Sequence, residues 1–112
     1  MLTTKDLRNA YENFNDGFFD SRIKIPKNRV SFGDKEECDG CEGLCSRDGY
    51  IFINRELRKH ADLAFIVLLH EMTHAVLFQQ GYIGHEHHGG HSQLFHAELH
   101  RLYLAGAYEE LF

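Results

Sequence analysis

The sequence predicts a single α+β domain, with a small β-sheet packed beside a central helix and a further helix at the C-terminal end. The chain has 112 residues, of which 43% are apolar, and this is enough for one core but too little for two. Three segments show the apolar spacing of helices, and short apolar runs bounded by turn residues lie between the first two. We therefore treat residues 1–112 as one domain.

The first half of the chain is predicted to form one helix followed by short strands. Thr3 or Thr4 can cap the helix, which should end near residues 15–17 because apolar residues recur at helical spacing up to there. Three short apolar runs are predicted to form strands: Arg22–Ile25, Val30–Phe32 and Tyr50–Ile53. The segment from Gly33 to Gly49 has no apolar periodicity and should form an exposed loop or hairpin connection.

Two helices are predicted in the second half. Asp62 can cap a long helix that runs to about Gln80, with Gly81 as its stop. This helix is apolar on nearly every side, which indicates that it is the buried centre of the domain. A last helix should run from Ser92 to about Ala107.

Charge and composition narrow the classes of function. The net charge of −5 argues against autonomous binding to DNA or anionic lipid, because such binding depends on clustered Lys and Arg. No apolar run approaches the roughly 20 residues of a membrane span, and the N-terminus has no signal-like pattern. An odd number of cysteines suits a reducing compartment. We expect a soluble, cytoplasmic protein with no membrane partner.

Histidine is concentrated in the second half, where seven of the nine lie between His70 and His96. Residues 70–74 read His-Glu-Met-Thr-His, which places His70 and His74 one turn apart on the predicted helix. Two imidazoles so spaced can bind one zinc ion, and Glu71 beside them can accept a proton from a zinc-bound water. The alternative is a pair of core histidines bonded to backbone carbonyls, but the apolar helix favours the metal, which would satisfy all three polar groups.

A catalytic zinc ion usually takes a third protein ligand, and the spacing leaves two candidates. His91 follows two glycines at the predicted start of the last helix, which can present it rigidly, and we favour it. Glu98 lies seven residues later on the same helical face and could be the ligand instead, or could orient a ligand histidine through its free nitrogen. A metzincin site is excluded, because it requires glycine and histidine at the positions where this chain has Leu77 and Gln80. The other histidines of this half are poorer candidates: His85, His87, His88, His96 and His100.

Three cysteines, Cys38, Cys41 and Cys45, lie within eight residues of one another. The spacing of the first pair allows a second, structural zinc ion with His60 or a nearby aspartate as fourth ligand. Three thiols fall short of a full ligand set, however. We favour the alternative of an acidic loop with reduced cysteines.

The chain resembles the SprT-like metallopeptidases, the group that includes the Spartan proteases acting on DNA–protein crosslinks. Residues 14–23 are similar to the family's N-terminal helix-to-strand signature, residues 69–75 to its active-site helix, and residues 90–95 to its third-ligand motif, although Ser92 replaces a frequent glycine. The resemblance implies a zincin-like, minigluzincin-type fold and supports His91 over Glu98. It allows a DNA-associated substrate, although the family's C-terminal zinc ribbon and a basic tail are not in this sequence.

Two hypotheses of function follow. The first is a zinc-dependent peptidase with one catalytic ion, in which Glu71 deprotonates the attacking water and then protonates the leaving amine of an extended or unfolded protein or peptide. Tyr82 and the loop histidines are candidates for stabilising the oxyanion. The second is a non-catalytic, zinc-containing protein-binding module or regulator. Glu71 favours the peptidase, because a purely structural site gains nothing from a carboxylate beside the open zinc position.

Overall fold

The computed structural model describes residues 1–82, 92–109 and 111. These residues form a small α+β structure with a three-stranded sheet. The helices are α1 (Thr4–Phe18), α2 (Ala61–Gln79) and α3 (Gln93–Leu104), and the strands are β1 (Val30–Gly33), β2 (Gly43–Cys45) and β3 (Ile51–Asn54). Short 3-10 helices span Lys27–Arg29 and Arg55–Lys59. The predicted α+β class agrees with this architecture.

Thr3 caps helix α1, one of the two caps that the sequence predicts, and the cap is reciprocal with Asp6. The Thr3 hydroxyl accepts a hydrogen bond from the Asp6 N–H at 3.1 Å, and the Asp6 carboxylate accepts one from the Thr3 N–H at 2.9 Å. These bonds satisfy two amides that the first turn would otherwise leave without partners. The helix buries Leu7 and Tyr11 and ends at Phe18, just beyond the predicted end.

The predicted strand at Arg22–Ile25 is wrong, because this segment is irregular. Side-chain amides from two helices take the place of a partner strand. The Asn15 amide nitrogen donates to the Ile23 carbonyl at 2.9 Å while its oxygen accepts from the Ile23 N–H at 3.1 Å. Gln79 of α2 donates to the Arg22 carbonyl at 2.7 Å. Side-chain hydrogen bonds therefore hold the backbone of Arg22–Ile25 in place without pairing to a neighbouring strand.

The sheet has the order β1-β3-β2, with β1 parallel and β2 antiparallel to β3. The predictions of strands at Val30–Phe32 and Tyr50–Ile53 are confirmed within one residue at either end, and Ile51 and Ile53 are fully buried. The prediction for the segment from Gly33 to Gly49 was incomplete, because it contains β2. That strand has only three residues, too few to show an alternating pattern.

Helix α2 is the centre of the structure, and ten of its residues are buried. The prediction that Asp62 caps it is wrong, since the helix begins at Ala61 and Asp62 lies in its first turn. The predicted stop at Gly81 is confirmed by the positive φ of 88° at this residue, which glycine adopts without steric cost.

Among the described helices, α2 alone is long and apolar enough to cross a membrane by length and composition. The expectation that no apolar run approaches this length is therefore corrected. Of the apolar window, 61% is buried inside the protein, and the core helix of a soluble protein meets the same criterion. The finding is weak support for a membrane span.

Helix α3 packs against α2 and begins as predicted. The Ser92 hydroxyl accepts a hydrogen bond from the Phe95 N–H at 3.4 Å and caps the first turn. The helix ends at Leu104 rather than at Ala107, because turns follow from residue 105 and Gly106 has a φ of 88°.

Candidate metal and catalytic site

Helix α2 brings His70 and His74 together as the spacing predicts. Their ring centroids lie 5.1 Å apart with an interplanar angle of 71°. His74 is 9% exposed and His70 is half-buried. When two imidazoles bind the same tetrahedral zinc ion, with zinc–nitrogen distances of about 2.0–2.1 Å, their ring centroids lie roughly 5 Å apart. The pair therefore fits a shared zinc ion in both donor type and separation.

The sequence analysis placed Phe95 of α3 in the third-ligand motif but did not predict its contact with the two imidazoles. Its ring lies 4.8 Å from the ring of His70 and 4.4 Å from that of His74, centroid to centroid, and the side chain is 1% exposed. A close-packed ring against both imidazoles restricts their side-chain rotation. The only available signal was the helical spacing of Phe95 and Leu102, which marks a buried face of α3 but not its partner.

Glu71 is a buried carboxyl group, 6% exposed, in the wall of the same site. Burial raises its pKa to about 8, and a hydrogen bond from the backbone N–H of Cys45 acts in the opposite direction. The carboxyl group is therefore held between its own helix and strand β2.

Gly43 allows β2 to approach α2 closely. A Cβ atom at this position would lie 2.7 Å from Cγ1 of Val67, 3.0 Å from Oε2 of Glu71 and 3.1 Å from its Cγ. Only glycine fits this approach without displacing a neighbour. Gly43 was not identified as a site residue from the sequence, because the contact joins residues far apart in the chain.

An open cleft of about 610 Å³ lies between α2 and the segment that contains β2. Its lining includes His70, Glu71 and His74, and also the apolar side chains of Ile66, Val67 and Phe78. A cleft of this size is in the range of ligand-binding sites. The three residues of the motif thus line a cavity that is open to solvent.

The two candidates for the third ligand have different outcomes. His91 lies outside the described residues, as do His85, His87 and His88. Glu98 is described, and its Oε1 atom accepts hydrogen bonds from Nη2 and Nε of Arg101 at 2.6 and 2.9 Å, with Nη2 of Arg22 at 3.5 Å. These two guanidinium groups compete with any metal for the carboxylate. His91 and Glu98 both stay predictions, with the contacts of Glu98 favouring His91.

The three cysteines differ in burial. Cys38 and Cys45 are buried, whereas Cys41 is exposed. In the described part of the chain, no group of three or more His, Cys, Asp or Glu residues could hold a metal ion. Burial is the largest cause of a pKa of about 11 for Cys38, so its thiol stays protonated at neutral pH. The second zinc ion and the acidic loop with reduced cysteines both stay predictions.

Three further residues from the sequence analysis lie at the surface. His96 and His100 are exposed on α3, as expected. Tyr82, a candidate for the oxyanion partner, is 45% exposed beyond the end of α2, and that role stays a prediction.

The fold and the site together define a small α+β protein whose central helix presents two imidazoles and a buried glutamate to an open cleft, the arrangement expected of an HExxH helix. The SprT-like family matches residues 7–108, and the chain belongs to this family. The resemblance noted from the sequence is thereby confirmed. Searches of curated proteins and of solved structures found no match.

Proposed function

We propose that this protein is a zinc-dependent peptidase with a zincin-like, minigluzincin-type fold. The observation that carries the proposal is the joint placement of His70, Glu71 and His74 in one cleft wall, with the imidazole centroids 5.1 Å apart. Membership of the SprT-like family, which covers residues 7–108, supports it. A binding module would not require a glutamate between the two histidines.

His70 and His74 would hold the metal, together with His91 as the third ligand. Support for His91 comes from the position of the next residue, because Ser92 caps α3 only three residues before Phe95, whose ring contacts both imidazoles. The chain therefore enters α3 close to the pair. When bound, zinc would lower the pKa of a water molecule towards 7 and polarise the scissile carbonyl.

Glu71 would move the proton in both halves of the reaction. A divalent cation held by the imidazole pair would lower the raised pKa of Glu71 and favour its carboxylate. That carboxylate would accept a proton from the water that attacks the carbonyl carbon, and would then donate the proton to the amine nitrogen as the peptide bond breaks. The Cys45 N–H donates a hydrogen bond to the Glu71 carboxylate, and Gly43, which has no side chain, leaves room for that carboxylate. Strand β2 thus positions the base.

An extended peptide is the substrate that suits this cleft. Strand β2 is an edge of the described sheet and lies beside the cleft. An unpaired strand edge can accept an extended segment through main-chain hydrogen bonds. A folded protein presents few such segments, so we propose unfolded or flexible protein chains as substrates, acted on in the cytoplasm and without a membrane partner.

The test is proteolysis of casein by the zinc-loaded protein and by Glu71→Gln, which is close to the parent in shape but cannot accept the proton. The variant should keep zinc and lose at least about a hundredfold in rate, the typical contribution of a general base. Zinc content and far-UV circular dichroism of both proteins serve as controls. Equal rates for the two proteins would refute the assignment of a peptidase.

A further inference from the structure

We propose that the cleft selects substrates with apolar side chains close to the scissile bond, an inference that rests on the peptidase function above. The cleft continues along α2 on both sides of the imidazole pair. Ile66 lies one helical turn before His70 and Phe78 one turn after His74, and both line the cavity. Apolar surface therefore flanks the reacting position at both ends.

The spacing sets how far from the scissile bond this selection acts. A bond cleaved between the two histidines lies about six helical residues, or about 9 Å, from both Ile66 and Phe78, and an extended peptide advances about 3.3 Å per residue, so each side chain lies roughly three substrate residues away. Val67 lines the same cavity between Ile66 and Glu71. We expect the preference within about three positions on either side of the cleaved bond.

Outside the His70–His74 motif, one acidic and one basic side chain among the described residues line the cavity, Glu42 and Arg47. A charged substrate side chain placed against Ile66 or Phe78 would lose hydration without gaining a matched partner. An apolar side chain, by contrast, gains from the removal of its surface from water.

The first test is a digest of a peptide library of known composition, with cleavage sites read by mass spectrometry. Leu, Ile, Val, Met and Phe should be enriched at least about threefold over Asp, Glu and Lys within about three residues of the cleaved bonds, as partial burial of such side chains implies. Cleavage without this enrichment would overturn the inference and leave the peptidase function intact. An absence of Glu71-dependent cleavage would overturn both.

The second test measures binding without turnover. Two fluorescent peptides that differ only by Leu or Asp at the third residue from the central bond are titrated against Glu71→Gln protein, and binding is followed by fluorescence anisotropy. The Leu peptide should bind about tenfold more tightly, as expected if about half of the Leu side chain is buried. Equal affinities would contradict the inference.

A charge placed in the lining should reverse this preference. Ile66→Lys in the Glu71→Gln background should weaken binding of the Leu peptide and strengthen binding of the Asp peptide. The matched control is Leu63→Lys, which adds the same charge to the same helix at a residue that is 44% exposed and does not line the cavity. The same change in preference for both variants would show that the cavity lining is not responsible.

Discussion

Replacing Gly43 by alanine tests whether the close approach of β2 to α2 holds the site together. The new methyl group would lie 2.7 Å from Cγ1 of Val67 and 3.0 Å from Oε2 of Glu71. Forcing one extra carbon into a packed site costs about 1–3 kcal/mol. Removing a glycine from the unfolded chain recovers about 0.4–1 kcal/mol. We expect a net loss of about 1–2 kcal/mol in the free energy of unfolding.

The assay is urea unfolding followed by far-UV circular dichroism, with Gly17→Ala as the matched control. Apart from its chain neighbours and the adjacent backbone of α1, no atom lies within 4 Å of a Cβ at Gly17, which is in the last turn of α1. The same substitution should therefore be neutral there or stabilise the protein by up to about 1 kcal/mol. Because Glu71 is one of the two contacts, Gly43→Ala should also reduce casein turnover at unchanged zinc content.

A second substitution separates the two contacts. Val67→Ala removes the atom nearest to the added methyl group, so part of the stability lost in Gly43→Ala should return in the double variant. The expected coupling energy is at least about 0.5 kcal/mol. If Gly43→Ala were as stable as the parent and fully active, β2 would not approach Glu71 as closely as described, and the positioning argument would fail.

The remaining predictions concern the imidazole pair, the third ligand and the cap of α1. Phe95→Ala should lower the free energy of unfolding by about 3–5 kcal/mol. Phe95→Leu removes less of the side chain and should cost less stability, but it should still weaken zinc binding in a competition titration with a chelating dye. His91→Ala should lose zinc by elemental analysis whereas Glu98→Ala keeps it, and the opposite result would assign the ligand to Glu98. Thr3→Ala should cost about 0.5–2 kcal/mol in urea unfolding. Hydrogen bonds from Thr3 hold the pKa of Asp6 below its usual value, so Asp6→Asn should destabilise the protein at pH 7, and the difference in urea unfolding should shrink as the pH falls below the ordinary pKa of an aspartate.

The fold could be predicted where local pattern and tertiary packing agree. Ile51 and Ile53 alternate with half-buried residues on β3, and the pattern alone identified the strand. At Arg22–Ile25 the same kind of apolar run led to a wrong prediction, because Asn15 and Gln79 satisfy its backbone through side-chain amides. Those contacts join elements up to 57 residues apart, which no local pattern contains.

The residues of the site also differ in whether the sequence alone could identify them. His70, Glu71 and His74 could be found from sequence because the geometry of one helix relates them. Phe95 and Gly43 could not, because their roles come from the packing of α3 and β2 against that helix. In most proteins a phenylalanine on a buried helical face only fills the core, and a glycine in a polar segment only forms a turn.

The composition of β2 follows from the requirements of the site. A strand that covers a buried carboxyl group must approach it closely and still leave the cleft open. Here the approach is made with backbone atoms, through the N–H of Cys45 and through Gly43, which has no side chain. A β-branched residue at position 43 would raise strand propensity but would collide with Val67 and Glu71. The weak strand signal in this segment is therefore a consequence of its position over Glu71.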